Sequence, residues 1–256
     1  MKNKQRLCLG KLPFVAKSTD LMFASYRTKV ALPPHPKTFG HASSVPRSAW
    51  GMLGNDQLGD CAIAGPMHMS ICWTVSAGLG VTFTVADAIR AYSSVSGYRP
   101  GIPATDRGCQ MRDVLRYWQK TGFRDAKGKL HTIGAYINIP TTDLSSMQEA
   151  MWLFGGVNSG LMVPQSMQTQ FQNGKPLTVV KGSPIEGGHC MPLLGRNASG
   201  YDACTWGSVV TATDAFVKKY YDEHWAVLSN DQLNGKGVSP ELFNMAQLQA
   251  DLNALA

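Results

Sequence analysis

A cysteine stands where a polar, turn-rich run meets an apolar one, in the stretch GNDQLGDCAIAG at residues 54–65. A thiol there would open a helix, where unpaired backbone N–H groups and the positive end of the helix dipole favour the thiolate. This residue is Cys61. Farther along, GSPIEGGHCMPLLGR sets His189 behind Gly187 and Gly188 at the start of a strand-like segment. An ordinary thiol offers only a few per cent thiolate at neutral pH, so a nucleophilic cysteine needs an imidazole that takes its proton and later protonates the leaving group. Cys61 and His189 are therefore the candidate nucleophile and acid–base for acyl transfer. The Cys61 backbone N–H would be one donor to a tetrahedral oxyanion, and a side-chain amide the other.

Such a pair must be held by a body large enough to bury it. At 256 residues, with 44% hydrophobic and 16% charged side chains, the chain is globular and long enough for one large domain or two lobes sharing a cleft. No apolar run is long enough to span a membrane, and the N-terminus lacks the continuous apolar region of a secretory signal, so a cytoplasmic setting is expected. The six cysteines are scattered, without a C-x-x-C pair, which argues against structural zinc; no metal or cofactor is implied. Cys72, Cys109, Cys190 and Cys204 read as small core residues, and His68 as a hydrogen-bonded packing histidine.

Charge is distributed unevenly. Residues 1–50 hold nine Lys or Arg against the single acid Asp20, while the remaining residues carry 15 basic and 16 acidic side chains. Residues 1–49 thus form a basic arm, and its prolines predict extended chain. It reads first as a solvated segment wrapping over the body, and otherwise as a pro-segment over a cleft or a tether to an acidic partner. Without aromatic interleaving or a nucleic-acid fold signature, specific nucleic-acid binding is not expected.

The elements that would position the pair follow from hydrophobic periodicity. AIAGPMHMSICWTVSAG predicts a helix ending near Gly78, with Pro66 either kinking it or pushing its regular part downstream. VADAIRAYSSV and MRDVLRYWQKTG predict two more, the latter stopped by Gly122. Ser145 and Ser146, with Gln148 and Glu149, offer overlapping capping boxes for SMQEAMWLF. From residue 156 the pattern turns to strand: VNSGLMVP, HCMPLLGR, YDACTWGSVV and HWAVLS, with TDAFVKKYYDE as a short helix before the last. Ser239 and Pro240 open a terminal helix. A mostly helical half followed by a sheet half implies α+β with a cleft between the halves.

GNDQLGDC, EGGHCMPLLG and CTWG, in that order, resemble the Q-x-x-x-x-x-C, G-G-H-A and N-S-W-G blocks of the papain-like cysteine peptidase superfamily. The 128 residues from Cys61 to His189 are close to the spacing of papain-type peptidases. TDRGCQMRDVLRYWQKTGF and MQEAMWLFGGVNSGLMVP resemble the middle segments of its bacterial members. AYSSVSGY, DVLRYWQKTG, LFGGV and TWG look like an uncharacterised bacterial and bacteriophage group on the same pattern. The likeness spans about residues 50–230 and implies a two-lobed papain-like fold, with the cysteine on a helical lobe and the histidine on an antiparallel sheet.

The same resemblance implies a peptide or amide substrate and a thiol-dependent hydrolase or transferase. It places a glutamine that helps hold the oxyanion six residues before the cysteine, where Asn55 stands, its amide one methylene shorter; Gln57 is the alternative donor. Where the superfamily carries the Asn or Asp that orients the histidine, this sequence has Cys204, followed by Thr205 and Trp206; Asp202 and Asp222 are substitutes by charge. The expected organisation is a basic arm over 1–49, a papain-like domain over 50–230 and a C-terminal helix over 231–256. The rival expectation is a non-catalytic descendant of the fold, a binding or structural protein that could be a virion component anchored by its basic arm.

Overall fold

The computed structural model describes residues 6–24, 34–229 and 231. Helix α1 (Cys61–Ser76) is buried on all sides from Cys61 to Thr74, as a helix with apolar residues all round must be. It runs as one helix through Pro66, where the sequence predicts a kink or a helix that becomes regular only downstream. Helix α2 (Val85–Ser96) starts at a capping box between Thr84 and Asp87 and stops at Gly97, in the left-handed conformation. Helix α3 (Met111–Lys120) buries Met111, Val114, Leu115 and Trp118. Trp118 stacks on Trp73 of α1, ring centroids 5.8 Å apart, locking these helices into one lobe.

The second lobe is an antiparallel sheet in the order β4 (Ile133–Ile139), β10 (Tyr221–Ser229), β5 (Val157–Pro164), β7 (Leu193–Asn197), β8 (Gly200–Thr205) and β9 (Ser208–Ala212). Strand β6 (Ile185–Cys190) pairs with β5, setting His189 opposite Leu161, and β1 (Phe39–Gly40) pairs with β7. Strands β2 (Phe123–Arg124) and β3 (Leu130–His131) form a separate hairpin. Helices α4 (Leu144–Leu153) and α6 (Asp214–Tyr220) pack on the sheet and share its core, and α5 (Gln165–Gln172) follows β5 directly. The α+β expectation holds.

Several local expectations are corrected. The α4 cap is Asp143, whose carboxylate accepts the Ser146 N–H at 2.9 Å; a carboxylate one turn earlier takes the role expected of the serines. YDACTWGSVV is a hairpin, because Trp206 (φ 43°) and Gly207 (φ 67°) make the left-handed pair that a tight two-residue turn requires. HCMPLLGR divides at Met191–Pro192 into the end of β6 and the start of β7. Strand β4 adds sheet to the half expected to be helical. The predicted terminal helix at Ser239 and Pro240 lies outside the described residues. Among the described residues no helix is long and apolar enough to cross a membrane.

The arm is more than solvated surface. Residues 8–12 run between the lobes: the Gly10 and Lys11 N–H groups donate to the Gly188 carbonyl at 3.2 and 3.1 Å, and the Leu12 N–H to the Cys109 carbonyl at 3.1 Å. The Cys109 N–H returns a bond to the Gly10 carbonyl at 3.0 Å. The chain then passes Phe14, packed edge-on to Trp225. Asp20 pairs with the buried Arg112 through two hydrogen bonds, and Phe23 is fully buried.

Candidate active site

Two features bring the cysteine and histidine segments together. Cys61 is the first residue of α1, and Gly65 one turn later lies so near β6 that a Cβ there would come within 2.8 Å of Cys190 Sγ. Only glycine permits that approach. The Cys190 N–H in turn donates to Cys61 Sγ at 3.4 Å, so the sulfur lies against the residue that follows His189.

His189 is fully buried. Its ring stacks on Trp206 at 4.6 Å between centroids, and Nε2 lies 2.6 Å from Thr205 Oγ1. Nδ1 has no hydrogen-bond partner among the described residues. The β8–β9 hairpin supplies both neighbours: Thr205 ends the strand and Trp206 begins the turn. Thr205 is thus the hydrogen-bond partner of the imidazole, and its hydroxyl can accept from a protonated Nε2. Cys204 is buried in the core shared with α1, Asp202 accepts from the Asn197 amide at 2.7 Å, and Asp222 faces Lys11 at 3.1 Å. The structure joins none of these three to His189.

The electrostatics are those of a closed site. Burial pushes the Cys61 thiol up to about 12, against smaller opposing effects from the backbone amides of Cys190, Gly10 and Lys11. Burial, helped by nearby His68, lowers His189 to about 3. Desolvation outweighs the helix-terminus effect expected from the sequence, leaving a neutral thiol and a neutral imidazole. His68 itself bonds the Trp50 and Gly51 carbonyls, each at 3.0 Å, a packing role.

Of the two candidate oxyanion amides, Asn55 is buried and its Nδ2 donates to the Leu58 carbonyl at 3.0 Å, whereas Gln57 is exposed and reaches the Asp56 carboxylate. Asn55 therefore ties its own loop. A network that sequence reasoning missed anchors this loop to helix α2 and the segment between α2 and α3. Asp106 accepts from the Gly59 N–H and from the Tyr92 hydroxyl, and that hydroxyl accepts the Gly108 N–H at 2.8 Å. Its only trace in the sequence is the polar TDRG run ahead of Cys109.

Lys11 was also not singled out by the sequence. Its side chain is wholly buried, with the ammonium 3.1 Å from Asp222 Oδ2 and 3.5 Å from Glu223 Oε2. A Cβ on Gly160 would fall 2.4 Å from the Lys11 stem. On the other side of the backbone, a Cβ on Gly10 would lie 1.8 Å from the Gly59 carbonyl oxygen. Among the described residues no group of His, Cys, Asp and Glu side chains is arranged to hold a metal ion.

The sequence matches no protein-family model and no curated protein. The fold does match solved structures. Xylellain, a cysteine protease from Xylella fastidiosa, is 13% identical, with a TM-score of 0.62 over 89% of this chain and 98% of that one. Procathepsin B S9 from Trypanosoma congolense is 9% identical, with a TM-score of 0.59 over 86% of both chains. The cysteine protease and lectin-like domains of Cwp84 from Clostridium difficile are 10% identical, with a TM-score of 0.59 over 87% of this chain and 56% of that one. The chain has the fold of papain-like cysteine proteases.

Proposed function

We propose that this protein is a thiol-dependent amide-bond hydrolase or transferase of the cysteine peptidase type, held closed by its own N-terminal arm. The observation that carries this reading is the Cys190 amide bonded to Cys61 Sγ, which keeps the sulfur against β6, where the residue before Cys190 is a histidine whose Nδ1 has no partner among the described residues. With the arm withdrawn, water would reach both groups and the desolvation that keeps them neutral would fall.

In the reaction, the Cys61 proton passes to His189 and the sulfur attacks the substrate carbonyl carbon. The resulting oxyanion is met by the Cys61 backbone N–H; Asn55, one of whose two Nδ2 hydrogens goes to the Leu58 carbonyl, has a second to offer. The imidazolium then protonates the departing amine as the C–N bond breaks, leaving a thioester. Water, or a second amine in a transferase, attacks that thioester and restores the thiol. Nε2 keeps its proton and donates it in a hydrogen bond to the Thr205 hydroxyl, which fixes the ring plane throughout.

The neutral, fully buried pair also favours a second reading, in which the fold is kept as a non-catalytic binding protein. One experiment separates the two. Gly10→Leu in the full-length chain, which cannot seat the arm against Gly59, should cleave a peptide library read by mass spectrometry, and Cys61→Ala in that background should abolish cleavage. No cleavage, with Cys61 still no more reactive toward iodoacetamide than the other cysteines, would establish the non-catalytic reading.

A further inference from the structure

The loop that leads into the nucleophile is fastened to the rest of the fold at few points. Its turns are local: the Gln57 and Leu58 N–H groups both donate to the Gly54 carbonyl, and Asn55 Nδ2 donates to that of Leu58. Asp60, at the N-cap of α1, makes no side-chain capping bond, and both its carboxylate oxygens are buried without a partner among the described residues. Among those residues, two ties join residues 54–59 to distant parts of the chain. One is the Cys8 thiol on the Asp56 carbonyl at 3.6 Å, which goes when the arm goes. The other is the Gly59 N–H, shared between the two carboxylate oxygens of Asp106 at 3.2 and 3.1 Å.

Asp106 is itself held. The Tyr92 hydroxyl of α2 donates to its Oδ1 at 2.5 Å and accepts the Gly108 N–H at 2.8 Å. Burial and the Asp106 carboxylate push that hydroxyl well up, so it stays a donor. The approach of the carboxylate requires glycine at position 59, where a Cβ would lie 3.0 Å from Asp106 Oδ1 and 3.1 Å from the Leu9 carbonyl oxygen.

We propose that Asp106 is the positioning residue of the nucleophile: with residues 8–12 out of the cleft, its bond to Gly59 fixes where the start of α1 presents the Cys61 sulfur and backbone N–H to a substrate carbonyl. The proposal rests on the thiol-hydrolase reading above, and Asp106 itself touches no reacting atom. Gly59 lies two residues before Cys61, so a turn released there frees the first peptide groups of the helix to rotate. An oxyanion donor works only when aimed at the place where charge develops, and a misplacement of about 1 Å can cost a hundredfold in rate. Attack of the thiol on a small alkylating agent makes no demand on the N–H. Loss of Asp106 therefore separates turnover from alkylation, which loss of folded protein cannot do.

The test compares Asp106→Ala, Asp106→Asn and Tyr92→Phe in the full-length Gly10→Leu chain, on the peptide-library member that this chain cleaves fastest. Asp106→Ala should lower kcat roughly thirtyfold or more, with KM and the iodoacetamide rate of Cys61 each changed less than about threefold. Asp106→Asn keeps an oxygen for the Gly59 N–H and should recover most of that loss, with Tyr92→Phe in between. An unchanged kcat in Asp106→Ala, or a kcat that falls only in step with alkylation, overturns the proposal and leaves Asp106 a structural tie.

A second measurement needs no turnover. Amide hydrogen exchange at Gly59 to Cys61 should be faster by roughly tenfold or more in Asp106→Ala than in its Gly10→Leu parent, while the turns of α1 beyond Met67 keep the parent rate. Unchanged exchange at these amides overturns the positioning role and leaves the thiol reading standing. A Gly10→Leu parent that cleaves nothing defeats the thiol reading, and the positioning role with it.

Discussion

The hydroxyl of Thr205 meets Nε2 of His189 at 2.6 Å, at the end of β8 and under the cover of Trp206. A hydroxyl has one bond to offer the ring and no charge to stabilise an imidazolium. Removing it with the near-isosteric Thr205→Val should therefore cost about one neutral hydrogen bond, a fall in turnover of roughly three- to tenfold in the Gly10→Leu background. Thr205→Asn should restore or exceed the parent rate. If Thr205→Val leaves both turnover and the pH dependence of Cys61 alkylation unchanged, Thr205 does not orient the ring.

Cys61 in the intact chain should be a poor nucleophile. With its thiol at about 12 and 1% exposure, alkylation at pH 7 should be slower than at the half-buried Cys8. Gly10→Leu should reverse the order. Bringing the thiol back to its ordinary 9 raises the thiolate fraction at pH 7 by roughly a thousandfold. Peptide mapping after a short iodoacetamide pulse reads both results, and a Cys61 that labels first in the intact chain contradicts the closed site.

Gly188→Ala tests the arm from the opposite wall. A Cβ there would lie 2.3 Å from the Lys11 carbonyl oxygen, a clash with backbone that no rotamer relieves. The variant should fold with its arm displaced, so that trypsin cuts after Lys11 while the rest of the chain stays resistant. An arm as protected as in the parent would mean that the backbone ladder at Gly188 does not hold it.

Acid should weaken the closed form. His189 is depressed from 6.5 to about 3, so the protein gains stability from keeping the ring neutral at pH above 6.5. That contribution is lost progressively as pH falls from 6.5 toward 3, because the open or unfolded chain takes up a proton that the closed chain refuses. Cys61, raised from 9 to about 12, sets the alkaline limit in the same way, with stability lost as pH climbs through 9. His224, also lowered to about 3 by burial, makes global stability fall in acid as well. Arm release is therefore read separately, as tryptic sensitivity at Lys11 and Lys17 set beside thermal unfolding at each pH. His189→Gln should flatten the acid limb of arm release, and an unchanged slope would remove His189 as its cause.

The parts of this molecule readable in the sequence are those governed by short-range pattern. Helices α1 to α3 declare themselves through apolar spacing and their stops, and the order of the Cys61, His189 and Trp206 segments gives the fold. Thr205 could be named as standing at the third position, but its contact depends on the turn at Trp206–Gly207, a detail of two dihedral angles. Strand β4 was obscured because its exposed and half-buried middle residues dilute the strand pattern. Lys11 was illegible for a different reason: a lysine near a terminus is ordinarily a solvated charge, and what buries this one is a pair of acids more than two hundred residues away in β10. The helix-terminus argument for an ionised Cys61 failed likewise, since no local pattern reveals that another part of the chain will exclude water from the sulfur.

A stopper joined to its own vessel cannot be diluted away. Residues 8–12 occupy the cleft as part of the same molecule, so their hold is set by an effective local concentration rather than by how much protein is present. Severing the chain between Phe23 and Phe39 would change the kind of equilibrium: the same segment, still fastened through Asp20 and Phe23, would become a separable peptide that escapes in dilute solution and returns in concentrated solution. The covalent link makes the closed state independent of concentration, and one cut would make it concentration-dependent.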